Sequence, residues 1–324
     1  MRSGRLAGLA LLAGLLSAGA GLAQESLCAE TNAFSEALDD LGRRFQATKS
    51  TLVLNYEGTY SFLCLEFKGM AALRIAATEG TWKASDTAAP VPACKIEFLL
   101  FNPKEKKSAD GPVALNKRTL CVLGLPELNM LRYVKLNDEL IKPMFGRNRR
   151  LMYVESYDFA PDRVRYMRRD LESGEVVTNL PNLETVTRQS FEIGKVLRNL
   201  HQAYLAGDST NPPVTELNFT VNGQVKTFGL HTSKASLRAP LLDREVTVLR
   251  GDILGAGQDR GANTGFSVSC LPFREVATVG GDPFLAALAT EGQAWYMIPI
   301  AGRYELFLGG INCTLIGIHG ENSL

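Results

Sequence analysis

Residues 132–169 hold ten basic side chains: Arg132, Lys135, Lys142, Arg147, Arg149, Arg150, Arg163, Arg165, Arg168 and Arg169. Five acidic ones share the stretch: Asp138, Glu139, Glu155, Asp158 and Asp162. The local excess is five positive charges in a chain with 35 Lys+Arg against 34 Asp+Glu. Arginine offers a planar fork of donors that matches phosphate and carboxylate. This stretch is therefore where the sequence is best equipped to hold an anion, with Arg149 and Arg150 as the leading pair. Strands that turn charges to solvent to prevent edge pairing produce the same pattern.

Other chemistry is poorly supported. There is no G-x-S-x-G nucleophile elbow. The three histidines are His201, His231 and His319. Thr232 and Ser233 follow His231 directly on an extended segment, where a neighbouring side chain points to the opposite face. Gly255-Ala256-Gly257 has the look of a phosphate loop, but Ala262-Asn263-Thr264-Gly265 is a poor helix start, and a helix N-terminus is what holds a pyrophosphate. Asp39-Asp40 and Asp138-Glu139 are adjacent pairs that diverge on a helix. No Cys/His spacing matches a zinc site. The expectation is a protein that is not an enzyme and needs no cofactor or metal. Near-zero net charge argues against nucleic acid as a partner.

The six cysteines are Cys28, Cys64, Cys94, Cys121, Cys270 and Cys313. An even number in an exported chain predicts disulfides. Cys94 with Cys121 and Cys270 with Cys313 are the expected pairs. Export is read from the first residues. Arg2 and Arg5 precede an apolar run at 6–16, and Gly21 and Ala23 supply the small residues for cleavage after Ala23. Removing 1–23 leaves 301 residues with a formal charge of −1. The expected location is the periplasm. The remaining chain divides into an N-terminal helical segment, 24–49, and one β-rich domain, 50–324.

The elements that must position these residues follow from periodicity. Phe34, Ala37, Leu38, Leu41 and Phe45 share one helical face. From residue 51 the period becomes two, with Leu52, Leu54 and Tyr56 alternating, and Gly58, Gly69 and Gly80 marking turns. Further strands are expected at 95–101 and 119–123, and hairpins at 150–169 and around Asn222-Gly223, a type I′ turn signal. One helix spans about 188–205, with Ile193, Val196, Leu197, Leu200 and Tyr204 on its apolar face. Residues 251–267 read as a loop and 284–290 as a short helix. Two strands close the chain, 294–300 and 303–318, the second bent at Gly309-Gly310. The fold class is mainly β (α+β): a strongly curved antiparallel sheet, half-barrel or barrel, with an N-terminal helix and one packed helix. A mean hydropathy of −0.02 excludes a bundle of membrane helices.

Four stretches resemble an exported bacterial family known as domain of unknown function 3108. They are Leu54-Asn55-Tyr56 through Lys68-Gly69-Met70 to Ile75, Arg149-Arg150 to Ser156-Tyr157-Asp158-Phe159, Gln189-Ser190-Phe191 to Leu197-Arg198, and Trp295 to Ile300 with Gly309-Gly310 to Leu315. The resemblance implies a periplasmic β-rich protein with a strongly curved sheet, and it carries over no catalytic residue.

A curved sheet can enclose a ligand in place of a filled core. Its expected apolar lining includes Phe219, Trp295 and Met297, with the helix around Leu197 plugging one end and Arg149 and Arg150 at the rim. The leading function is a binding or carrier module for an apolar or amphiphilic envelope molecule such as a lipid. An envelope assembly factor that binds protein partners is the alternative, and a hydrolase the third reading.

Overall fold

The computed structural model describes residues 36, 38–62, 65–101, 116–141, 149–159, 164–178, 193–206, 214–221, 224–255, 266–277, 297–306 and 309–321. A short helix, α1 (residues 38–44), leads into β1 (Phe45–Ala47), β2 (Thr51–Phe62), β3 (Leu65–Trp82), β4 (Val91–Phe101) and β5 (Asn116–Gly124). Next come β6 (Asn129–Ile141), β7 (Arg149–Phe159), β8 (Val164–Asp170), β9 (Val176–Val177) and helix α2 (Ile193–Ala206). The chain continues with β10 (Thr215–Val221), β11 (Gln224–Ala239), β12 (Arg244–Gly255), β13 (Phe266–Pro272), helix α3 (Phe273–Ala277), β14 (Met297–Leu306) and β15 (Gly309–Glu321).

The strands form one antiparallel sheet in the order β10-β11-β12-β13-β14-β15-β2-β3-β4-β5-β6-β7-β8-β9. Nearly every strand pairs with its neighbour in sequence. The exception joins β15 to β2, so the C-terminal strand lies beside the first long one. β1 continues the line of β2 along the far end of β3. Among the described residues β9 and β10 are the two edges, and the sheet is not closed. The fold class is mainly β.

Curvature follows from burial. Laid flat, these strands would span roughly 65 Å at ~4.8 Å each, while a 14-residue helix is only about 21 Å long. Yet one core joins side chains from Leu217 on β10 to Tyr166 on β8. The sheet must cover its own inner face. Two contacts show how. Tyr56 on β2 donates its hydroxyl across β15 to the Pro299 carbonyl on β14, at 2.7 Å. The turn at Pro240–Leu242, between β11 and β12, packs on β15, past β13 and β14. Inside, α2 lies against β10, β11, β12 and β14, burying Val196 and Leu200.

The outer face of β3–β7 carries a second, smaller core. Trp82, Ala93, Leu120, Val122, Val134 and Val154 meet Leu41 of α1 and Phe45 of β1. At Gly80 the β1 backbone comes so close that a Cβ would sit 2.1 Å from the Gln46 carbonyl oxygen, so only glycine fits there.

Several expectations change. Gly58 lies inside β2, and Gly69 and Gly80 lie inside the 18-residue β3; none is a turn. The N-terminal helix ends at residue 44, and Phe45 opens β1. β12 runs on to Gly255, into the expected loop. β14 ends at Leu306 and β15 begins at Gly309, so Gly309-Gly310 opens a strand and is not a bend within one. The expected helix at 284–290, the expected turns at 160–162 and at Asn222-Gly223, and the leader at 1–23 lie outside the described residues. No helix among the described residues is long and apolar enough to cross a membrane.

Candidate functional site

The basic stretch divides between the two faces of the sheet. On the outer face, Arg132 of β6 donates to Asp158 of β7 at 2.9 Å and reaches Asp40 of α1 at 3.3 Å. Arg44 also bridges Asp158 and Asp40, at 2.9 and 3.2 Å, and its guanidinium lies 5.6 Å over the Trp82 ring. Arg169 meets Glu36 at 3.3 Å. These arginines therefore fasten the N-terminal segment. Lys142, Arg147 and Arg163 lie outside the described residues.

The inner face is different. Residues paired across an antiparallel ladder share a face. One such row runs through eight strands, Ile318, Leu54, Ile75, Phe98, Thr119, Lys135, Glu155 and Arg168, before it ends at Val177 on the β9 edge. Four apolar positions on β15, β2, β3 and β4 lead into four polar ones on β5–β8. Ile318, Ile75 and Phe98 pack against the core yet stay partly accessible. Lys135, Glu155 and Arg168 are half-buried.

The rows on either side hold this lane in place. On one side Ile96, Cys121, Tyr133, Tyr157 and Tyr166 are in register and buried. The Tyr133 and Tyr157 rings meet edge-on with centroids 6.0 Å apart, and Tyr157 and Tyr166 lie at 5.0 Å. Both Tyr157 and Tyr166 donate their hydroxyls to Glu155 Oε1, at 3.2 and 3.3 Å. Burial, then the Glu155 charge, pushes both phenols well above their ordinary range, so they stay protonated and keep donating. On the other side lie Leu100, Lys117, Asn137, Tyr153 and Asp170. The Tyr153 ring carries Arg168 at 3.9 Å and Lys135 at 5.7 Å. Such cation–π contacts orient both cations beside the lane. Two cations against one carboxylate leave the polar half of the lane with a net positive charge.

The expected site residues are placed as follows. Met297 is 1% exposed and belongs to the inner core, in register with Pro272. Phe219 lies on β10 opposite Lys226, and Leu197 lies within α2. Arg149 and Arg150 open β7, in register with Ile141 and Leu140. Trp295 lies outside the described residues. His231 sits on β11 opposite Asp252, His201 lies on α2, and His319 on β15 lies 3.2 Å from Glu321.

The disulfide expectation is corrected. Cys94, Cys121, Cys270 and Cys313 are free, buried thiols. Cys270 on β13 and Cys313 on β15 are separated by the whole of β14, about two strand spacings, beyond the ~7 Å Cα limit for a bridge. Cys94 faces Leu123 and Cys121 faces Ile96, so these two are diagonal, not opposite. Burial raises all four thiols, Cys270 to about 12 and Cys313 to about 11, which suppresses the reactive thiolate. Cys28 and Cys64 lie outside the described residues.

Sequence reasoning singled out the basic residues but passed over the tyrosines. A signal was present. Tyr133-x-Lys135-x-Asn137, Tyr153-x-Glu155-x-Tyr157 and Tyr166-x-Arg168 put rings and charges on one parity, where a core-facing strand carries aliphatics.

No family model matches the chain, and no curated protein matches it. Among solved structures, it is similar to a beta-barrel-like protein of domain of unknown function DUF1849 from Brucella abortus. The identity is 7% and the TM-score 0.40, over 86% of this chain and 100% of that one.

Proposed function

We propose that the protein is a non-enzymatic binding module of the bacterial cell envelope for an amphiphile with an anionic head group. The observation that carries this reading is the inner lane, apolar from Ile318 to Phe98 and positive at Lys135 and Arg168. An anionic head meets the two cations beside Tyr153, and its apolar chain lies along Phe98 and Ile75. Arg2, Arg5 and the apolar run after them support export, and an exported module would meet such amphiphiles in the envelope.

Dodecyl phosphate titrated into the protein by calorimetry tests the head-group contact. Lys135→Glu with Arg168→Glu should weaken binding tenfold or more. A lost charged contact costs about 1.5–3 kcal/mol, and ~1.4 kcal/mol is already tenfold. Dodecyltrimethylammonium should bind the unaltered protein more weakly than dodecyl phosphate. Equal affinity for the two head groups, or an unchanged affinity in the double variant, would remove the lane from consideration.

A further inference from the structure

The polar half of the lane has two poles. Lys135, Glu155 and Arg168 lie in register on three adjacent strands, yet rings from opposite sides of the row hold them. On one side the Tyr153 ring carries the Arg168 guanidinium at 3.9 Å and the Lys135 ammonium at 5.7 Å. On the other, Tyr157 and Tyr166 donate their hydroxyls to Glu155 at 3.2 and 3.3 Å. Both hydroxyls reach Oε1, so neither occupies Oε2. All three charged residues are half-buried, whereas Lys117 and Asn137 in one flanking row and Tyr133 and Tyr157 in the other are buried. The accessible charges therefore form a strip between buried side chains. Glu155 does not suit a site for a bare anion, which it repels. Nor do the two phenols require it, because a neutral glutamine carbonyl accepts the same hydroxyls without the cost of a half-buried charge.

We infer that the head group is zwitterionic: a phosphodiester that carries a short amino alcohol, with its phosphate on Arg168 and Lys135 and its primary ammonium on Glu155. The inference rests on the reading of the lane as an amphiphile site and names the chemical class of that amphiphile. A guanidinium stacked on a ring keeps its N–H groups at its edge, where phosphate oxygens accept them in pairs. The primary ammonium donates to Oε2 of Glu155, the oxygen that neither tyrosine uses. The spacing fits. Opposed residues on neighbouring strands lie about 4.5–5.5 Å apart at Cα, a span that a two-carbon link between phosphate and nitrogen covers. A quaternary ammonium has no N–H to give and gains less from the carboxylate.

Calorimetry with two matched probes, 2-aminoethyl dodecyl phosphate and ethyl dodecyl phosphate, isolates the ammonium. Both carry one phosphate charge and the same chain. The unaltered protein should bind the aminoethyl ester about tenfold more tightly, the order expected of a hydrogen bond between charged groups. In Glu155→Gln, which still accepts the tyrosine hydroxyls, the ratio should fall to about one, with the ethyl ester bound no more weakly than before. Glu155→Asp, which keeps the charge, should retain most of the preference. Circular dichroism confirms that the variants fold. Phosphoethanolamine without a chain should bind at least about a hundredfold more weakly than its dodecyl ester, because it buries no methylenes. Equal binding of the two dodecyl esters by the unaltered protein, or a preference that survives in Glu155→Gln, would overturn the zwitterionic head group and leave the amphiphile reading standing. Chain-free phosphoethanolamine bound as tightly as its dodecyl ester would assign the site to a free head group, and binding of neither dodecyl ester would remove the amphiphile reading and this inference together.

Discussion

Asp158→Ala is expected to lower stability by about 3–5 kcal/mol, the usual cost of removing one partner from a buried ion pair. Asp158 receives Arg44 and Arg132, both at 2.9 Å, and its own side chain is 14% exposed. Without it, two guanidinium groups are left to share Asp40. The loss is local before it is global. Arg44 belongs to the segment that covers the outer core around Trp82, so that segment should loosen first. Urea unfolding of Asp158→Ala and Asp158→Asn measures the cost, and limited proteolysis near residues 38–47 reads the loosening. Arg43→Ala is the contrasting case. Its bridge to Asp40 spans 3.7 Å and its side chain is 71% exposed, so it should change stability by no more than about 0.5 kcal/mol.

Leu200→Ala is expected to cost about 2–5 kcal/mol. Leu200 is the buried anchor of α2 on the inner face. It sits on the bare backbone of Gly251 of β12, where a Cβ would come within 2.9 Å of its Cδ2 atom. Alanine at 200 leaves a cavity that Gly251 cannot fill, and the rigid sheet cannot collapse into it. Leu205, on the same helix but exposed, should tolerate alanine within about 0.5 kcal/mol. Equal effects at 200 and 205 would show that α2 does not pack as described.

Period-two alternation made most strands readable, because a strand with one buried face needs it. It failed where charges replace aliphatics. β6 went unrecognised as a strand because Arg132 and Lys135 interrupt its pattern. The groups that answer them, Asp158 and Asp40 for Arg132 and Glu155 across from Lys135, come from other elements. β3 looked broken because Gly69 and Gly80 resemble turn residues; at Gly80 the missing side chain serves the close approach of β1. The lane is the extreme case. Its eight residues come from eight strands, one each, so no local window contains two of them. Register alone brings them together, and register is set by bulges such as those at Gly58/Thr59 and Leu315/Gly317, which alternation does not reveal.

Native mass spectrometry of the protein purified without detergent, from a host that exports it, is the most direct test of amphiphile binding. The expected spectrum holds a fraction with an added lipid-sized mass, which dodecyl phosphate displaces and which Lys135→Glu with Arg168→Glu loses. A spectrum of bare protein that also takes up no dodecyl phosphate on titration, or a bound mass that persists unchanged in that double variant, would contradict the account.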